Sequence, residues 1–206
     1  HLSGSSLMST ALLNGIVLMI GSFVSPEASG LYRIATSVAL PIVYIHEVLG
    51  QVIAPNLAQR LRDNNGVAIR KILKVGALVS LSGSVLGGLI TIFFGKFLLD
   101  TVYGPQSAGA FAPMMVLAAS HVANAAGGLD HEVLNMSGKA KNVLRITTYV
   151  TGFCFALSVP SIHIFGLIGA VHILLAYQVL ISYLLSKEAL RVSGYNPSLL
   201  PQFFLK

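Results

Sequence analysis

Apolar residues along this chain run in blocks, broken by short polar stretches, and do not alternate with polar ones. A helix needs about 20 apolar residues to cross a hydrocarbon layer of about 30 Å. Six segments meet or nearly meet that length: 7–24, 31–54, 72–95, 108–128, 143–162 and 165–186. Lipid offers no hydrogen-bond partner, so each must satisfy its backbone internally, and helix is the expected state. The breaks fit. Ser25-Pro26-Glu27 ends the first segment, and Gln59 to Gly66 forms the longest polar connection. Tyr103-Gly104-Pro105 closes a short amphipathic stretch after the third, Ser137 to Lys141 precedes the fifth, and Pro160 ends it. The pattern predicts an all-α integral membrane protein, a six-transmembrane-helix bundle with a tail at 187–206.

Composition strengthens this reading. The chain is 54% hydrophobic and 10% charged, with a mean hydropathy of +0.78, whereas a soluble domain carries about 25% charged residues to wet its surface. The net charge of +6 does not point to nucleic acid, because the cations sit between apolar segments and form no stripe with interleaved aromatics. Their placement gives an orientation instead. Arg60, Arg62, Arg70, Lys71 and Lys74 fall in the second connection, Lys139, Lys141 and Arg145 in the fourth, and Lys187, Arg191 and Lys206 after the last segment. Only Arg33 and Lys96 lie near the other side, so both termini are expected in the cytoplasm. The single cysteine, Cys154, sits in an apolar run and reads as packing. The chain opens on His1 without a visible signal peptide, which suggests a fragment.

Polar groups that survive at depth mark function in a membrane bundle, because each costs free energy to place there. At about 100° per residue, Arg33, Ser37, Tyr44, Glu47 and Gln51 fall within about 80° of one another on the second helix. Pro55 caps that face, and His46 points roughly the opposite way. Similar rows occur at Ser3, Thr10, Asn14 and Gly21, at Pro113, Ser120, Asn124 and Gly127 with His121 beside them, and at Thr147, Thr151 and Ser158. Two readings stay open: close helix packing through small and hydroxyl residues, or a wet cavity. Packing is the expectation for the small-residue rows, a cavity for the second helix. Arg33 and Glu47 stand about 21 Å apart and cannot pair. Each also has a plainer reading, reaching the headgroups at its own end of the helix.

His46, His121, His163 and His172 lie on four segments without metal-ligand spacing on one face, so neither metal nor cofactor is expected. Lys96 and Asp100 read as an ordinary i, i+4 surface ion pair. Asp130, His131 and Glu132 read as a solvated loop edge, with a gate against the basic loops as the alternative. No paired acids or His–Asp pair stand in an interfacial loop, and no glycine loop would cradle phosphate, so an enzyme is not expected.

Several motifs carry a family resemblance. Gly30-Leu31-Tyr32-Arg33-Ile34-Ala35 opens the second helix, and Ala54-Pro55-Asn56-Leu57-Ala58 closes it before the basic loop. Phe94 to Leu99, Tyr103-Gly104, Leu134 to Lys141 and Phe165 to Ala170 follow in order. Together these resemble the C-terminal half of the polysaccharide exporters, the O-antigen-type flippases of the multidrug/oligosaccharidyl-lipid/polysaccharide exporter superfamily. The likeness runs from about Gly30 to the end of the last helix. It implies a transporter of two six-helix lobes around a central cavity, of which this chain is the second lobe, in the cytoplasmic (inner) membrane. It also implies the substrate, an undecaprenyl-pyrophosphate-linked oligosaccharide for surface polysaccharide biosynthesis. The partners it implies are membrane lipid, the missing N-terminal lobe and a polysaccharide polymerase. On that reading Arg33 contacts pyrophosphate or sugar, Asn14, Tyr44, Gln51 and Asn124 face the sugar, and Glu47 couples transport to a cation or proton. A cation-coupled multidrug exporter, a membrane-embedded glycan-assembly enzyme and a structural subunit are the alternatives.

Overall fold

The computed structural model describes residues 2–199, and every element among them is helical: α1 Leu2–Phe23, α2 Pro26–Arg62, α3 Gly66–Leu98, α4 Phe111–Ala126, α5 Asp130–Met136 and α6 Ala140–Ser193. A π turn (Leu99–Tyr103) and a 3-10 turn (Pro105–Ala110) join α3 to α4. His1, the side chains of Leu2, Ser3 and Ser6, and residues 200–206, with Lys206, lie outside the described residues.

Local chemistry sets the helix starts. Ser25 caps α2 by accepting from the Ala28 N–H at 3.1 Å, and Pro26 follows at the first helical position, where its missing N–H is harmless. Asn65 caps α3 the same way, accepting from Ala68 at 3.1 Å. The residue before it, Asn64, takes the left-handed φ of 51°, which asparagine tolerates better than most.

α6 is two helices. Gly166 breaks it with φ 58° and ψ −137°, a region nearly closed to residues with a Cβ. Asn142 then donates to the Glu188 carboxylate at 2.6 Å across a separation of 46 residues. A straight helix would hold those residues about 69 Å apart at 1.5 Å per residue. The arms 140–165 and 167–193 therefore fold back on each other, and the Ser161 hydroxyl reaches the Gly169 carbonyl across the bend.

Contacts along the rods give their directions. Gly4 meets Leu144, Gly15 meets Phe155, and Ser158 donates to Met19, so α1 and the first arm run parallel. Ile42 lies against Gly87, Ile45 against Gly83 and Ile53 against Gly76, so α2 and α3 run antiparallel. Met114 against Gly95 and Val122 against Gly88 make α3 and α4 antiparallel too. α2, α3 and α4 thus alternate in direction, as do the two arms of α6. One end, the basic end, gathers the α2–α3 turn, α5 and the residues after Ser193.

The core is a thin seam of Leu12, Ile16, Ile20, Met114, Leu117 and Leu134, each at most 1% exposed. Outside it lies bare hydrocarbon: Leu18 is 70% exposed, Phe93 75% and Phe97 68%. Four helices, counting α6 as one, are long and apolar enough to cross a bilayer, with mean hydropathies from 1.2 to 2.2, and Leu7–Phe23 adds a shorter apolar helix.

Three boundaries differ from the sequence pattern. α2 continues through Pro41 and Pro55 to Arg62, so Pro55 sits within the helix and does not end it. The fifth segment passes Pro160 and turns at Gly166. A proline removes one helical hydrogen bond, which neighbours and local adjustments can absorb in a membrane helix; the positive φ at Gly166 is what reverses the chain. The tail is helix as far as Ser193, and the segment after it packs on the bundle, with the Leu129 N–H reaching the Pro197 carbonyl at 3.4 Å.

Candidate functional site

α2 presents two unlike faces. Tyr32, Ala35, Ala39, Ile42, Gly50 and Leu57 are buried, while Arg33, Ser37, Tyr44, Glu47 and Gln51 are all exposed. The five polar residues thus share one open face, with Tyr44 54% exposed. Neither Arg33 nor Glu47 has an ion-pair partner among the described residues; the ion pair found there is Arg191–Glu188.

The two prolines extend this face. Pro41 and Pro55 are exposed as well. Proline has no N–H, so each removes the bond to the carbonyl four residues earlier. Those carbonyls belong to Ser37 and Gln51, both on the polar face. α2 therefore offers main-chain acceptors beside its polar side chains.

The other residues expected at this site lie elsewhere. Asn14 is exposed on α1 and donates to the Thr10 carbonyl at 3.0 Å. Asn124 is half-buried near the end of α4. His46 turns away from Glu47, as adjacent helical residues must, and meets the Ser80 hydroxyl of α3 at 2.7 Å.

A second polar cluster lies at the basic end, with Asp130 buried and His131 and Glu132 half-buried. Asp130 is 4% exposed; its carboxylate accepts from the His131 N–H at 2.7 Å and from the Ser186 hydroxyl at 3.3 Å. The Glu132 carboxylate lies against α2 where a Cβ on Gly50 would stand, and one of its oxygens is buried without a partner. The Asn135 side-chain amide oxygen, Oδ1, is similarly unpartnered. Burial, reinforced by the neighbouring Glu132 charge, lifts the Asp130 carboxyl well above its ordinary range. Burial raises Glu132 too. It pushes His131 down to about 4, with His46 adding to the effect. All three groups are thus biased toward their uncharged forms.

This overturns the solvated-edge reading of residues 130–132, since α5 folds under the bundle against α2 and the second arm of α6. Sequence reading missed Gly50 and Ser186 altogether. Its one signal was His46, the lone polar residue off the α2 stripe.

The small-residue rows of α4 and α6 are largely packed, as expected, whereas in the α1 row Thr10 and Asn14 are exposed. Ser120, Thr147, Thr151 and Ser158 are buried, and the Thr147 and Thr151 hydroxyls have no partner. The expected Lys96–Asp100 ion pair is absent from the described residues. The helix leaves α-geometry at Leu99, so i, i+4 spacing no longer brings the two together. They line one pocket of about 270 Å³ with Leu99, Ala108 and Phe111. Among the described residues, no three His, Cys, Asp or Glu side chains are grouped to hold a metal.

An all-helical chain with several bilayer-length apolar helices and an apolar outer surface is a multi-pass membrane protein. Compared with family models, curated proteins and solved structures, it matches none.

Proposed function

We propose that this chain is a six-crossing lobe of a membrane transporter that moves a lipid-linked oligosaccharide from the inner to the outer leaflet of the cytoplasmic membrane, with both termini cytoplasmic. The observation that carries the reading is the open face of α2. From Arg33 to Gln51 it extends about 27 Å at 1.5 Å per residue, close to the thickness of the hydrocarbon layer.

Against lipid such a face is costly, and the carbonyls freed by Pro41 and Pro55 add to that cost, because hydrocarbon can satisfy none of them. Against a water-filled path shared with a second lobe, the same groups are satisfied. Sugar hydroxyls need donors and acceptors, which Ser37, Tyr44, Gln51 and the freed carbonyls supply. A pyrophosphate needs a cation, and Arg33 is the one on the stretch from Arg33 to Gln51. The polyprenyl tail stays in lipid. Glu47 is the coupling group on this reading. The resemblance to the O-antigen-type flippases points the same way, and no catalytic step is assigned to the chain.

The buried acids of α5 favour a second reading, a cation-coupled exporter of lipophilic compounds. Depleting the protein separates the two: a flippase leaves the lipid-linked unit on the cytoplasmic leaflet, and a drug exporter leaves cationic dyes inside the cell. Normal surface glycan assembly without the protein overturns the first reading.

A further inference from the structure

The α2–α3 turn carries Arg60, Arg62, Arg70, Lys71 and Lys74 against a single acid, Asp63. None of these cations has a carboxylate within ion-pair distance among the described residues. Arg70 is engaged otherwise, with its guanidinium 5.7 Å from the Tyr195 ring centroid. Lys71 is exposed and lines a groove of about 330 Å³ between α2 and α3. Asn56 faces it from α2, and Val52, Ile53, Val75 and Gly76 form the remaining walls.

The groove is polarised along its length. Lys71 lies one turn inside the start of α3 and Asn56 less than two turns before the end of α2, so both sit at the basic end. Val52 and Val75 lie about one turn deeper along their helices, toward the bilayer interior. Val52 is 70% exposed and Val75 51% exposed; no segment among the described residues covers them. An occupant must be anionic at one end, able to accept hydrogen bonds there, and apolar at the other.

We propose that this groove is a binding site for one anionic phospholipid of the leaflet facing the basic end. Its phosphate is held by the Lys71 ammonium and the Asn56 amide, and an acyl chain lies along Val52 and Val75. The surrounding cations raise the local concentration of anionic lipid, and the groove supplies the position. The site goes beyond the transport reading and does not depend on it.

Native mass spectrometry of the purified full chain in mild detergent, titrated with dioleoyl phosphatidylglycerol, tests this. The expected result is one tightly held lipid, with phosphatidylcholine binding about five-fold more weakly or worse, the size of one lysine's attraction to an anionic surface. Lys71→Gln should weaken the first binding step about five-fold and Lys71→Glu further, while Lys96→Gln at the far end changes nothing. Val75→Trp, which fills the groove and keeps every charge, should abolish the tight step. Excess inorganic phosphate should leave the lipid in place, because it lacks the chain. Equal binding of the two lipids, equal effects of the Lys71 and Lys96 changes, or displacement by phosphate would each overturn the proposal.

Discussion

Two glutamates of this chain live in opposite surroundings. Glu47 stands in the open on α2, with polar neighbours along its face and no partner. Glu132 is folded under the bundle, one oxygen against Gly50 and the other unpaired. Both lie in or beside apolar helices, and composition cannot tell them apart. What separates them is the partner helix: one α2 face meets α3, α4 and α5 and the other meets nothing among the described residues. Polar groups on the first face are held within the fold, so they bear on stability. On the proposed transport reading, polar groups on the second meet a partner or substrate outside the described residues and bear on function.

The largest effect expected from this contrast comes from Gly50. A side chain there must displace the Glu132 carboxylate, and through it α5. Gly50→Leu should therefore destabilise the protein by about 3 kcal/mol, the upper range for overpacking a filled site. Thermal unfolding in detergent would measure it. Gln51→Leu, one residue on but on the open face, should stay within about 0.5 kcal/mol. If the two changes cost the same, α5 is not seated as described.

Second in size is a loss of transport without a loss of fold. On the proposed transport reading, Arg33→Gln removes a charge-assisted hydrogen bond to a substrate phosphate, worth about 1.5–3 kcal/mol. Flipping of a lipid-linked oligosaccharide by proteoliposomes containing the complete transporter should fall about ten-fold or more, since 1.4 kcal/mol is one decade. The unfolding temperature should hold. Unchanged flipping would remove Arg33 from the path.

The third prediction concerns pH. Asp130 and Glu132 have native pKa values above their unfolded ones, so between those values the native state holds more protons. Their stabilising contribution is complete below the ordinary carboxyl range and is lost as pH rises through the raised native values. His131 runs the other way. Its value falls from 6.5 to about 4, so stability from this group rises with pH across that window and is constant above it. Of the three groups, then, only the acids impose a downward slope as pH rises. Stability should fall as pH climbs from the ordinary carboxyl range through the raised native values, and Asp130→Asn should flatten that fall. An unaltered slope in the variant would show that Asp130 is solvated.

How far the sequence reveals this contrast depends on distance along the chain. The rods were legible because blocks of apolar residues report the bilayer directly. The polar face of α2 was legible because helix periodicity is local: Arg33, Ser37, Tyr44, Glu47 and Gln51 needed only arithmetic to be aligned. The basic-end cluster was not. Asp130-His131-Glu132 after Gly127-Gly128 looks like any wet connection, and its burial depends on Gly50 and Ser186, some 80 and 56 positions away. Proline misled in the same way at Pro160, because a local breaker signal does not say whether neighbouring rods hold the helix straight.

The smallest expected effect sharpens the comparison from the other side. Glu47→Gln removes a charge without an ion-pair partner among the described residues, so stability should change by less than about 0.5 kcal/mol. Its consequence should appear only in coupling: flipping driven by a proton or sodium gradient should lose its dependence on that gradient while passive exchange persists. Glu132→Gln should do the reverse, altering the loss of stability as pH rises above the ordinary carboxyl range and leaving the gradient dependence intact. Exchange of these two outcomes would mean that the buried acid couples transport and the open one only reaches the headgroups. The open face of α2 would then still be wet, but α5 would be the moving part.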